Sequence, residues 1–96
     1  LELPIEVMIR SNLVGSSYVY IVRNTSDKDI TVYIRFKRPG RFLETTYHEG
    51  ASTIGAGQTR EYGWLEGVSA QQGDSIYISS EGYREHSGGV PRTLDH

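Results

Sequence analysis

The sequence predicts an all-β fold, and three observations carry that prediction. Ile30 to Lys37 (Ile-Thr-Val-Tyr-Ile-Arg-Phe-Lys) alternates apolar and polar residues without a break. Side chains of a strand point to opposite faces in turn, so Ile30, Val32, Ile34 and Phe36 share one face while Thr31, Tyr33, Arg35 and Lys37 share the other. Other short apolar or alternating runs recur with turn signals roughly every 8–15 residues between them, the pattern of a small sandwich or barrel. No segment sustains a helical period. A chain of 96 residues matches an Ig-like antiparallel β-sandwich of about seven strands.

Each element follows from its residues. Leu3 to Arg10 sets Ile5, Val7 and Ile9 against Glu6, Met8 and Arg10 behind Pro4, which predicts an edge strand because an early proline is tolerated there. Ser17 to Arg23 is almost continuously apolar, β-branched or aromatic, as in a central strand covered on both faces. Asn24 to Asp29 is a polar turn of six residues, and it predicts that the strands on either side pair antiparallel. Arg38-Pro39-Gly40-Arg41 closes the strand at Ile30–Lys37. Phe42 to His48 is a weaker strand candidate, and Gly50 to Thr59 reads as a loop. Thr59 to Trp64 and Asp74 to Ser79 are the last two strands. Trp64 is expected in the core with Phe36 and Tyr20. One sandwich domain is expected over residues 1–80, with an irregular tail over 81–96, where Gly88-Gly89 and Pro91 break any pattern.

Composition removes several function classes. Ten basic and twelve acidic side chains give a charge of −2, without the basic footprint of nucleic-acid binding. No apolar run has the length of a membrane span, and no secretory leader pattern opens the chain, so no membrane insertion is expected in this segment. With no cysteine there is no disulfide, thiolate chemistry or cysteine zinc site. Catalytic signals are equally thin. Serines, His48, His86 and several aspartates are scattered, and no Gly-x-Ser-x-Gly elbow holds them. His48-Glu49 and Glu85-His86 lack metal-ligand spacing. Asn24, Asp27 and Asp29 offer oxygen donors, but without the glycine and distal glutamate of a calcium loop. Asn24-Thr25-Ser26 has the form of a glycosylation acceptor.

In order along the chain stand Asn24-Thr25, the alternating Ile30, Val32 and Ile34, then Ile54-x-Ala56-Gly57-Gln58-Thr59, then Gly73-Asp74-x-Ile76. Between Tyr18 and Ile78 this order resembles Ig-like modules of bacterial envelope proteins of the FxLYD type, although the FxLYD signature itself is absent. The resemblance implies an accessory, non-enzymatic domain of a secreted or membrane-anchored protein, in the periplasm or at the cell surface, with no catalytic residues to carry over.

The expectation is therefore a non-catalytic binding or spacer module, with no cofactor and no metal, meeting a protein or glycan partner. The candidate contacts are Tyr33, Arg35 and Lys37 on the outward strand face and Arg38 and Arg41 at the following turn. Arg35 and Lys37 have a second reading, as charges that protect an exposed strand from unwanted pairing. A carbohydrate-binding module is an alternative if Trp64 and another aromatic are exposed and coplanar. A homo-oligomeric subunit is a second alternative if Ile5, Val7 and Ile9 leave an apolar face uncovered.

Overall fold

The computed structural model describes residues 1–12 and 15–92. Two antiparallel sheets pack face to face as an Ig-like β-sandwich. One holds β1 (Ile5–Ser11), β2 (Tyr18–Asn24) and β5 (Thr59–Tyr62) in the order β1-β2-β5. The other holds β3 (Ile30–Pro39), β4 (Glu44–Ile54), β6 (Ser75–Ser79) and β7 (His86–Gly89) in the order β4-β3-β6-β7. The alternation read from Ile30 onward is realised, since Ile30, Val32, Ile34 and Phe36 are all buried between the sheets. Phe36 is the hub of the core, with the rings of Tyr62, Tyr20 and His48 centred 5.3, 5.7 and 5.7 Å away. Val22, Ile54, Ile76 and Ile78 fill the remainder, all fully buried.

Strands β2 and β3 do not pair, contrary to the sequence expectation. The connection between them crosses from one sheet to the other, a step of about 10 Å that a few extended residues span. Asn24 makes the crossing stable. Its buried amide donates to the carbonyls of Lys28 (2.6 Å), Ile54 (3.0 Å) and Gly55 (3.2 Å), tying together the β2–β3 and β4–β5 crossovers. Its Oδ1 accepts from the Ser26 N–H and hydroxyl. The same burial removes Asn24 as a glycosylation acceptor in the folded chain.

Three further expectations are corrected. First, the loop expected over 50–59 begins only after Ile54, because β4 runs unbroken from Glu44 to Ile54. Its pattern was obscured by a register shift opposite Phe36 and Lys37, where Phe36 faces His48 and Lys37 faces Thr46. Such a bulge places two residues against one, so Tyr47 and His48 both lean on Phe36 and the alternation slips. Second, the segment expected as a tail contains β7, and Val90 is buried in the core. Gly89 permits this, because a β-carbon there would stand 2.6 Å from the Asp74 carbonyl oxygen. The part of the expected tail from residue 93 onward lies outside the described residues. Third, Trp64 is 64% exposed. The two-residue period stops at Tyr62, and the chain turns at Gly63 into a one-turn 3₁₀ helix, Trp64–Glu66. Val19 lies only 3.3 Å from where a β-carbon at residue 63 would be, so the chain bends where it has no side chain.

Candidate binding surface

The outer face of the four-stranded sheet follows from the alternation of β3. Since β3 lies between β4 and β6, Tyr33, Arg35 and Lys37 stand in the middle of a sheet, and protection of an open edge does not account for them. Their neighbours are set by register. Arg35 faces Glu49 on β4 and Tyr77 on β6, Tyr33 faces Ala51 and Ser79, and Lys37 faces Ser75.

These side chains form an ordered polar lattice. Arg35 Nη2 lies 2.5 Å from Glu85 Oε2, and its guanidinium sits 5.6 Å from the centre of the Tyr77 ring. Lys37 Nζ lies 5.2 Å from the same ring, so Tyr77 is approached by two cations. The Tyr77 hydroxyl donates to Glu44 Oε1 at 3.0 Å, and the Tyr33 hydroxyl donates to Glu49. Each of those hydrogen bonds to a carboxylate favours the neutral phenol and raises its pKa above the ordinary tyrosine value.

At the start of β3 the face opens into a groove between the β2–β3 and β6–β7 connections. Tyr33 and Tyr83 contribute aromatic surface to it, Thr31 and Ser80 contribute hydroxyls, and Asp27 and Glu81 contribute carboxylates. Tyr33 and Tyr83 are 41% and 37% exposed, so both rings are available to a ligand. The N-terminal segment adjoins this end, with Glu2 bridged to Arg84.

The five candidate contacts do not stay together. Tyr33, Arg35 and Lys37 share the outer face, whereas Arg38 turns away from it. Its guanidinium grips the buried Asp74 carboxylate through Nε (3.1 and 3.2 Å) and Nη2 (2.9 Å), and also donates to the Ser69 carbonyl at 2.7 Å. It lies 4.5 Å from the Tyr47 ring centre. Arg38 thus joins the end of β3 to the start of β6. Arg41 is exposed in the β3–β4 turn, at the end of the sandwich opposite the groove. Sequence reasoning did not place Tyr83 or the carboxylates of Glu44, Glu49 and Glu85 on this face, since the β3–β4 pairing and the β6–β7 connection that bring them there join segments distant in the chain.

The described surface presents aromatic rings, cations, carboxylates and hydroxyls. Among the described residues no group of three or more His, Asp or Glu side chains is placed to hold a metal ion. His48 packs on Phe36, and His86 lies on β7 opposite Ile78. Asp29 accepts the Ala56 N–H at 3.1 Å, which makes it a loop fastener. No helix among the described residues is long and apolar enough to cross a membrane. Comparison of the chain with family models, with curated proteins and with solved structures finds no match.

Proposed function

We propose that this chain is a non-catalytic recognition module of a larger extracytoplasmic or surface-associated protein. It holds a protein segment against the outer face of its four-stranded sheet. The observation that carries this reading is the position of Tyr33. It belongs both to the groove at the start of β3 and to the row of Tyr77, Arg35 and Lys37, which makes one continuous surface of aromatic rings, cations and carboxylates. Tyrosine and arginine supply large contact area with directed hydrogen bonds, and they are the residues on which protein interfaces most depend. The acidic groove suits a segment with basic or amide donors. The extracytoplasmic placement rests on the resemblance to envelope modules.

Selection from a displayed peptide library, with a glycan array beside it, tests the proposal. Peptides are the expected ligands, and Tyr33→Ala should weaken their binding by at least about tenfold while leaving the circular dichroism spectrum unchanged. Selected peptides that bind a Tyr33→Ala/Tyr83→Ala variant as well as the parent chain would overturn it.

The exposure of Trp64 gives the carbohydrate reading partial support. Its second requirement is weaker, because Tyr62 is buried and donates to Ser52 Oγ. The homo-oligomer reading loses its original ground: Ile5 is buried, and Val7 and Ile9 pack against the core.

A further inference from the structure

We infer that the end of the sandwich opposite the groove docks on an anionic lipid surface through two apolar loop tips. The β3–β4 turn carries Phe42 and Leu43, which are 89% and 80% exposed, and the 3₁₀ helix carries Trp64 and Leu65, which are 64% and 78% exposed. Topology places both at the same end. The β3–β4 turn follows Pro39, and the connection from β5 to β6 crosses that end, meeting Arg38 at Ser69 and Tyr18 at Ala70.

Both tips are held in shape by the fold. In the first, the Gly40 N–H donates to the Leu43 carbonyl at 2.8 Å, and a β-carbon at residue 40 would stand 2.6 Å from that oxygen. In the second, Glu66 Oε1 accepts the Gly63 N–H at 2.7 Å, and Gly67 closes the turn at φ +86°. Four large apolar side chains are thus pinned outward, where each keeps its contact with water. The other exposed large apolar side chains of the described surface are Leu1 and Met8, which stand singly, and the two tyrosines of the groove.

Charge selects the occupant. Among the described residues four carboxylates stand near this end: Arg38 and Arg10 neutralise Asp74 and Glu61 through ion pairs, while Glu44 and Glu66 keep their charge and accept hydrogen bonds from the Tyr77 hydroxyl and the Gly63 N–H. Arg41 stands beside Phe42, and Arg92 lies against Gly73 next to Pro39. With Lys37 they make three cations that have no carboxylate within ion-pair distance among the described residues. An anionic leaflet attracts them, and its interfacial layer admits tryptophan, phenylalanine and leucine without a shaped pocket. The contact is interfacial and needs no spanning segment. It would leave the Tyr33 groove, at the other end, directed away from the lipid.

Trp64 is the only tryptophan in the chain and so reports its own environment. The 96-residue chain is mixed with vesicles of phosphatidylcholine alone and with vesicles of equal parts phosphatidylcholine and phosphatidylglycerol, followed by co-sedimentation and tryptophan emission. Binding to the anionic vesicles with a blue-shifted Trp64 emission, weakened by added salt, is expected. The Phe42→Ser/Leu43→Ser variant should bind at least about tenfold more weakly, and Arg41→Glu should lower affinity and flatten the salt dependence. Leu65→Ser provides a second test at the other tip should the double variant fail to fold. No sedimentation with either vesicle overturns the inference. So does a blue shift that appears without lipid as protein concentration rises, which would assign the tips to a second copy. Full retention of binding in folded tip variants overturns it as well, as does capture of a protein partner by the tips without any vesicle binding.

Discussion

At Asn24 the side-chain amide is fully buried and fully used, with both hydrogens donated to crossover carbonyls and the oxygen accepting from Ser26. Removing it strands the buried Ile54 carbonyl and the part-buried carbonyls of Lys28 and Gly55, so Asn24→Ala should cost about 3 kcal/mol of stability, read as a lower urea midpoint with an unchanged slope. The Arg38–Asp74 pair is asymmetric: the Asp74 side chain is 1% exposed and the Arg38 side chain 38%. Arg38→Met leaves a carboxylate buried without its cation, whereas Asp74→Asn leaves a guanidinium that can turn to water. The first should therefore destabilise by about 3 kcal/mol and the second by less, as measured in the same urea titrations. Tyr47 gives a pH prediction. Burial first, and then the Asp74 charge, push its phenol from the ordinary value of 10.0 up to about 12. The folded chain therefore holds a proton that the unfolded chain gives up earlier. That contribution is fully present below pH 10 and is lost as pH rises from about 10 to about 12. Phenolate absorbance should show the buried tyrosines ionising together with unfolding, after the exposed ones.

The elements differ in how far their sequence discloses them. The strand at Ile30–Pro39 is legible because the side chains of one face are buried and those of the other are polar. β4 is an edge strand with little burial, and its bulge at Tyr47 and His48 breaks the period, so local pattern could not reveal its length. β7 was hidden by Gly88 and Gly89, which signal a break in isolation but here allow the backbone to approach Asp74. Two glycines test this reading in opposite directions. Gly89→Ala should destabilise by about 1–3 kcal/mol, because its new methyl group meets the Asp74 carbonyl. Gly50→Ala, on β4 with nothing within 4 Å of its β-carbon position, should be neutral or stabilise by up to about 1 kcal/mol. Thermal melts of the two variants decide the matter.

For the molecule as a whole, the two sheets give the chain two unlike ends. One carries the groove beside Tyr33 and Tyr83, and the other carries the tips at Phe42-Leu43 and Trp64-Leu65. Because Trp64 contributes little to the core, Trp64→Ala should change stability by no more than about 0.5 kcal/mol, and a collisional quencher should reach the native indole freely. Of the candidate contacts, Tyr33, Arg35 and Lys37 could be placed on one face from sequence because strand alternation is a local rule. Arg38 could not be separated from them, since its partner Asp74 lies 36 residues away. The all-β class, the buried face of β3 and the outward position of Tyr33, Arg35 and Lys37 were readable from local pattern, because a strand's two-residue period depends only on its own backbone. Tertiary structure alone decided that β2 and β3 occupy different sheets, that β3 is interior, that Arg38 is structural and that Trp64 faces water. Each of those outcomes depends on which distant segments come together, and a local period carries no information about its partner.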